Sequence, residues 1–461
     1  MRIGVIRRWG WFEAMVAAAI FGLGLTGLGL AAIGSVPEPP GPASPGSAVE
    51  SRRGAAVGRT SKPYQLPPEK LAQAIALGRI RTSLHFGSEL WNVGLLCLLL
   101  STGAAMRMSK WAIAQTHRRW LQCCIFSVLL ASLMFLTADA PVQAVGHFFS
   151  LRYRISVEPW NAWLLDEAKT LALTLLIEVP LLMLVLGLQR WPRSKRRYWL
   201  WFAGAAVPLM LLGTFLLPTL IEPMFDTFEP LASSHPALAG DLQRVVARTG
   251  ISIPPERMFL MKAREKSNGL NAYVTGLGPS KRIVVWDTTA DRMPEDEVLF
   301  TFAHEAGHYV LHHIAKGLAL AAIGVFLLLG ATAWTAAWML SRWGARWRVE
   351  SLASLPGLVV LLLALAAWQM IAEPVESSIS RHFEHEADVY GQEAVHGVVA
   401  DPQKTAVAAF NKLGEAYLDN PRPNPFVVFW SYDHPSIQDR AIFASQYDPW
   451  SSGRTPLFFP K

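Results

Sequence analysis

Charged residues are scarce in this sequence. Lys, Arg, Asp and Glu together make up 17% of its 461 residues, against about 25% in an average soluble protein. Hydrophobic residues account for 52%, and the mean hydropathy is +0.26. This balance excludes an ordinary soluble globular protein and is typical of a membrane protein.

Cysteine is also rare. The three cysteines are Cys97, Cys123 and Cys124, and all of them lie in long apolar stretches. A disulfide framework needs several cysteines at loop positions, and a cysteine zinc site needs spaced cysteine pairs. The sequence offers neither arrangement.

A basic face of the kind that binds nucleic acid is missing too. The formal net charge is +7, but many basic residues cluster in short loops beside apolar stretches instead of gathering on one soluble surface. Such loop charges are a signal of membrane topology. We therefore expect membrane lipids as neighbours and no nucleic-acid partner.

Long apolar runs are what the sequence does contain, and seven of them are candidates to cross a bilayer, which takes about 20 residues each. They cover residues 11–33, 90–106, 120–139, 165–189, 198–221, 317–340 and 352–372. The first run is long for a signal-peptide core, which favours a retained membrane helix over a cleaved signal peptide. Residues 36–68 are rich in Pro, Gly, Ser and Arg, which predicts a flexible tether.

These runs divide the chain into six segments. They are a first membrane helix (1–35), a flexible linker and loop (36–89), membrane helices 2–5 (90–221), an insert (222–316), membrane helices 6–7 (317–372) and a C-terminal tail (373–461). Two β-rich runs in the insert, 271–274 and 282–286, flank a turn and predict a hairpin. The fold class is therefore mainly α, a seven-helix membrane protein with a soluble α+β domain built from insert and tail.

Residues 304–308 fit the pattern H-E-x-x-H. The spacing of hydrophobic residues predicts a helix from about Pro294 through Leu311, almost into the sixth apolar run. His304 and His308 therefore lie on one face of this helix. Two imidazoles so placed can bind one zinc ion, and Glu305 between them can take a proton from a zinc-bound water. This predicts a Zn²⁺ hydrolase site at or near the membrane surface.

A catalytic zinc site usually has a third protein ligand and an open position for water. Glu384, soon after the seventh apolar run, is favoured for this role. If this segment is helical, Asp388 shares its face and could accept a hydrogen bond from a ligand histidine. The other candidates for the third ligand are Glu386, His382 and His385. The predicted zinc helix continues through His312 and His313. We interpret both as residues at the membrane interface or as residues that contact a metal ligand.

Several separated motifs occur in a characteristic order. They are Leu217-Pro218-Thr219-Leu220-Ile221-Glu222-Pro223-Met224-Phe225, Asn271-Ala272-Tyr273, Lys281-Arg282-Ile283-Val284-Val285, the H-E-x-x-H, Ser380-Arg381 with Phe383-Glu384, Ala387-Asp388, and Asp433-His434-Pro435-Ser436 followed by Arg440. With these motifs the chain resembles the family of integral membrane zinc metallopeptidases that includes the type I CAAX prenyl proteases. The resemblance covers roughly residues 150–445, whereas residues 1–150 carry little that matches.

The resemblance implies a chamber enclosed by seven membrane helices, with zinc facing its interior. It implies that the metal ligands are His304, His308 and Glu384. It further implies that Asn271 and Ala272 pair with the substrate backbone and that His434 and Arg440 stabilise the oxyanion, where a fixed cation or an imidazole N–H is the expected electrostatic helper.

The function expected from these residues is that of a zinc metalloendopeptidase in a bacterial inner membrane. Its substrates would be peptides or proteins at the membrane, either prenylated CAAX-type tails or other membrane-associated chains. The alternatives are a non-enzymatic chamber protein that retains the fold, and a zinc hydrolase acting on lipid head groups. An intact set of site residues disfavours the first, and Asn271-Ala272 disfavours the second.

The side of the membrane that carries the site stays open. Three short basic loops, 107–119, 190–197 and 342–348, share a side with the N-terminus, and the positive-inside rule places that side in the cytoplasm. The insert and tail would then face outward. The basic first long loop and the cytosolic catalytic face usual in the family favour the opposite arrangement.

Overall fold

The structure is a computed structural model that describes residues 64–193, 197–276 and 280–460. Helices dominate it. In chain order they are α1 (Pro68–Ser101), α2 (Ala104–Gln115), α3 (Arg119–Met134), α4 (Ala140–Arg152), α5 (Trp160–Arg190), α6 (Tyr198–Leu216), α7 (Glu222–Phe225), α8 (Leu231–Ser234), α9 (Pro236–Thr249), α10 (Asp287–Arg292), α11 (Glu295–Val310), α12 (His313–Trp347), α13 (Leu355–Val395), α14 (Pro402–Tyr417), α15 (Pro425–Ser431) and α16 (Ile437–Gln446). The strands are β1 (Phe228–Pro230), β2 (Met258–Met261), β3 (Ala272–Thr275) and β4 (Arg282–Trp286).

Six candidate membrane spans occur among the described residues. They are Pro68–Ser101, Arg119–Arg152, Trp160–Arg190, Tyr198–Phe225, His313–Trp347 and Leu355–Val395. Large apolar side chains on these helices, among them Leu176, Leu327 and Trp334, are more than two-thirds exposed, as expected of surfaces that lipid covers. The multi-pass membrane fold is thereby confirmed. The predicted span 11–33 lies outside the described residues, so the count of seven stays a prediction.

The chain is helical well before the predicted second span. Residues 68–89 belong to α1, so the prediction of a flexible linker over 36–89 is wrong for them, while 36–63 lie outside the described residues. Proline at the first turn of α1 is compatible with helix initiation. Leu77 packs with Tyr417 and Leu418 in a small apolar cluster. This tertiary contact holds the helix where composition suggested a loop.

The H-E-x-x-H helix ends earlier than predicted. α11 stops at Val310, and His312 adopts the left-handed backbone conformation with φ of 57°. A new helix, α12, then starts at His313 and carries the sixth predicted span. Because the chain turns here, His313 does not follow the helical periodicity of the motif.

The seventh predicted span and the start of the predicted tail form one helix. α13 runs for 41 residues from an N-cap at Ser354, whose hydroxyl accepts a hydrogen bond from Gly357 N. Its first half packs in the membrane core and its second half carries Glu384 and Asp388. One continuous helix therefore connects the membrane layer to the predicted metal site.

A four-stranded sheet lies beside these helices in the order β1-β2-β4-β3. β3 pairs antiparallel with β4, with Ala272 opposite Val285, which confirms the predicted hairpin. β2 pairs parallel with β4, and β1 pairs antiparallel with β2. Among the described strands β3 lies at the edge, and α11 packs against it.

Candidate metal centre

Helices α11 and α13 approach each other closely beside the sheet. Two glycines permit this approach. A Cβ atom on Gly307 would lie 3.0 Å from the ring of Tyr390, and one on Gly391 would lie 3.0 Å from the backbone nitrogen of His304. Larger residues here would overpack the interface and shift one helix. The glycines thus set the distance between the H-E-x-x-H motif and Glu384.

Donor atoms of three residues meet at this interface. His304 Nε2 lies 3.2 Å from His308 Nε2 and 3.3 Å from Glu384 Oε2, and His308 Nε2 lies 3.4 Å from Glu384 Oε1. Donors about 2.0–2.1 Å from a tetrahedral ion stand about 3.3 Å apart. All three residues are buried. Two imidazoles and one carboxylate at these separations fit a small divalent metal ion.

Electrostatics at the two histidines agree with a cation site. Burial lowers the pKa of His308 to about 3, so its ring is neutral, which is the form that binds metal. Burial acts on His304 too, but its hydrogen bonds to Asp388 and Glu384 raise its pKa to about 9. The buried carboxylates thus favour a positive charge at this point, and a bound metal ion would supply it in place of a proton.

An ion pair supports His304 from behind. Asp388 Oδ1 lies 2.9 Å from His304 Nδ1, and Arg440 donates to both oxygens of Asp388, from Nε at 2.9 Å and from an Nη at 2.6 Å. Arg440 also packs over the ring of Phe410. A carboxylate on the rear nitrogen fixes the tautomer and orientation of a ligand histidine. The predicted proximity of Asp388 to a ligand histidine is present in the structure.

His308 has a corresponding support. Its Nδ1 lies 3.1 Å from Nδ1 of His313, and Nε2 of His313 lies 2.9 Å from Glu386 Oε2. Glu386, an alternative candidate for the third ligand, therefore points to His313, while Glu384 completes the triangle. Sequence reasoning predicted only a general role for His313, because the position of this residue depends on the left-handed turn at His312. A lone histidine after a helix end carries no signal of such a contact.

Two further predicted residues border the triangle. Glu305 adjoins His304 in the chain and is half-buried, although the other residues from 301 to 308 are buried. His434, in the loop before α16, places Nε2 at 3.2 Å from Glu384 Oε1, and Asp433 holds its other nitrogen at 2.9 Å. A further imidazole thus lies beside the candidate ligands, and a partly accessible carboxylate adjoins one of them in the chain.

Asn271 and Ala272 lie at the start of the edge strand β3. The Asn271 backbone is fixed from one side, because its carbonyl accepts from Trp286 N at 3.0 Å and its N–H donates to Thr289 Oγ1 at 2.7 Å. Ala272 then begins the pairing with β4. An edge strand beside the H-E-x-x-H helix can receive an extended peptide by backbone hydrogen bonds.

A buried His-His-Glu group, a half-buried glutamate and an adjacent edge strand are the arrangement expected of a metal-dependent hydrolase. Family comparisons agree with this class. The profile of Peptidase family M48 matches residues 232–447, and the profile of the CAAX prenyl protease N-terminal region, with five membrane helices, matches residues 60–227.

Individual relatives extend the likeness over most of the chain. Identity is 30% over 386 residues with an uncharacterised metalloprotease of Bacillus subtilis, YhfN, covering 83% of this chain and 87% of that protein. It is 26% with CAAX prenyl protease 1 of Saccharomyces cerevisiae, covering 69% and 71%. The crystal structure of S. mikatae Ste24p shares the fold, with a TM-score of 0.69, 21% identity and coverage of 83% of this chain and 91% of that one.

The chain therefore belongs to the integral membrane metallopeptidase family that includes the type I CAAX prenyl proteases, and it is a membrane metalloprotease. The predicted family and enzyme class are confirmed.

Proposed function

We propose that this protein is a zinc endopeptidase whose metal ligands are His304, His308 and Glu384. The observation that carries the proposal is that buried donor atoms of these three residues lie 3.2, 3.3 and 3.4 Å apart in pairs, with Glu384 facing each histidine through a different carboxylate oxygen. Two imidazoles and one carboxylate are a common ligand set of catalytic zinc in peptidases. When bound, zinc supplies an activated water and polarises the scissile carbonyl.

Glu305 is the proton carrier. It takes the proton released as the nucleophile attacks and passes it to the leaving amine, so it acts first as general base and then as general acid. His434, whose Nε2 lies 3.2 Å from Glu384 Oε1, donates a hydrogen bond to the developing oxyanion. Asp433 stabilises the tautomer or charge that this donation requires.

Arg440 acts on the ligands in this proposal. Its guanidinium is buried and engaged with both oxygens of Asp388, which orients His304. This geometry favours a positioning role over direct contact with the oxyanion. Asn271 and Ala272, at the edge of the sheet, align the substrate backbone by strand addition.

The substrates are peptides or proteins held at the membrane surface, with prenylated CAAX-type tails as the first class to test. Support comes from the name of the yeast relative, CAAX prenyl protease 1, and from the continuity of α13 between the membrane layer and Glu384. The bacterial inner membrane is the proposed location.

The decisive experiment compares the Glu305→Gln variant with the wild type, both full-length and in detergent. We expect the variant to keep its zinc, measured by mass spectrometry, and to cleave about 10²–10⁴-fold more slowly, the range that general acid–base catalysis supplies. Glu295→Gln, an exposed position on the same helix, is the matched control and keeps full activity. Near wild-type cleavage by Glu305→Gln would remove Glu305 from this role.

The substrate class is tested with one peptide sequence in two forms, farnesylated and unmodified. A preference for the farnesylated form supports a CAAX-type role. Equal rates would indicate that the protease acts on membrane-associated chains without reading the lipid.

A further inference from the structure

A second group of possible metal ligands lies between α1 and α13. His85 and Glu89 are one turn apart on α1, and Glu373 faces them from α13. His85 Nε2 lies 2.9 Å from Glu373 Oε1 and 3.9 Å from Glu89 Oε1. One donor atom from each residue can be chosen so that all three lie within 4.8 Å of one another. One imidazole nitrogen and two carboxylate oxygens suit a divalent transition metal such as zinc or manganese.

The ligand types suit a divalent ion. Two carboxylates and one imidazole carry at most two negative charges, which a divalent ion would offset. The cluster lies between two helices, next to the apolar runs that begin at residue 90 and end at residue 372, where an uncompensated charge is costly. The side chains of His85, Glu89 and Glu373 are only 13%, 26% and 21% exposed.

Two buried oxygen atoms without a hydrogen-bond donor in the described part of the chain also favour a cation here. Glu373 Oε2 and Asn92 Oδ1 are buried and receive no hydrogen bond from the described residues. Asn92 follows His85 by two helical turns and therefore lies on the same face of α1. A buried oxygen without a donor costs free energy, which a cation can offset.

The cluster is separate from the candidate catalytic centre but shares its helix. Glu384 follows Glu373 by eleven positions along α13, which corresponds to about three turns and about 16 Å of helix. The two glutamates therefore lie on similar faces of α13, too far apart to bind the same ion.

We propose that His85, Glu89 and Glu373 form a second divalent-metal site that joins the first described membrane helix to the last. The site is tested by metal stoichiometry on the full-length protein in detergent. The protein is stripped with chelator, loaded with excess Zn²⁺ and passed over a gel-filtration column, and bound zinc is measured by mass spectrometry.

The wild type should hold two zinc ions per chain, and Glu373→Gln and His85→Gln one each. Glu178→Gln removes a different buried carboxylate in α5 and should keep both ions. A single ion in the wild type would overturn the proposal, and this result does not depend on the folding of any variant. Two ions in the wild type that persist in both cluster variants would overturn it equally.

A further variant tests the second site separately from the proposed function, because the second site does not depend on the catalytic one. His308→Gln should lose the catalytic ion and keep the second one. If His308→Gln retains both ions while Glu373→Gln loses one, the assignment of the catalytic ligands fails and the second site stands.

Discussion

Two clusters of histidine and glutamate lie on similar faces of α13, and they differ mainly in what surrounds them. The candidate catalytic cluster is buried, with Glu384 only 2% exposed. Both of its histidines contact a further polar side chain through Nδ1, the nitrogen that does not face Glu384. Asp388 with Arg440 supports His304, and His313 with Glu386 supports His308. The cluster at Glu373 is more open, with side chains 13–26% exposed.

The comparison teaches that the ligand residues alone do not define a catalytic centre. Both clusters offer imidazole and carboxylate donors at metal-binding separations. Outer groups fix the tautomer and direction of ligand histidines and typically contribute 10–100-fold in metal affinity. We therefore expect the catalytic cluster to bind its ion more tightly, and stepwise chelation to remove the ion at Glu373 first.

Removal of the Glu384 carboxylate gives the largest expected effect. Glu384→Ala should lose the catalytic metal and reduce peptide cleavage to background, because two histidines on one helix do not complete the site. Zinc content and turnover of the purified protein measure this. The matched control is Glu373→Gln, which should retain the catalytic ion. Unchanged catalytic zinc in Glu384→Ala would rule this residue out as a ligand.

Loss of the support behind His304 should have the next largest effect. Asp388→Asn keeps the shape of the side chain but removes the charge that pairs with Arg440 and His304. We expect a 10–100-fold weaker catalytic zinc affinity, measured by competition with a chelator. Asp296→Asn, an exposed position on α11, should leave the affinity unchanged. Equal affinity in both variants would mean that the ion pair only packs the tail.

The support behind His308 tests the same idea on the other ligand. His313→Phe fills the buried position but can neither accept from His308 nor donate to Glu386. We expect about 10-fold weaker zinc binding, at the low end of such effects, since His308 keeps its position on α11. The adjacent His312→Gly variant relieves a left-handed residue and should not weaken binding. A wild-type affinity in His313→Phe would contradict a supporting role.

Local patterns in the sequence predicted much of this site. Helical spacing placed His304 and His308 on one face, and two β-rich runs on either side of a turn predicted the hairpin of β3 and β4. The contact of His313 with His308 was not predictable, because it depends on a chain reversal at His312 that no residue type signals. The cluster at Glu373 was missed because its members are almost 290 residues apart in the chain. The start of α1 was missed although Pro68 and Glu69 are helix-initiation signals.

The smallest expected effect comes from the helix contact that brings the ligands together. In Gly391→Ala the new methyl group meets the His304 backbone at 3.0–3.1 Å, and backbone atoms cannot swing aside as a flexible side chain can. Alanine gains about 1 kcal/mol of helix propensity over glycine, whereas overpacking costs about 1–3 kcal/mol. We therefore expect a net loss of about 0–2 kcal/mol of stability and a few-fold weaker catalytic zinc affinity, because His304 moves relative to Glu384. Gly187→Ala, a helical glycine with nothing within 4 Å of the added Cβ, is the control and should bind zinc as the wild type does. If Gly391→Ala also binds normally, the glycine contact does not set the ligand geometry.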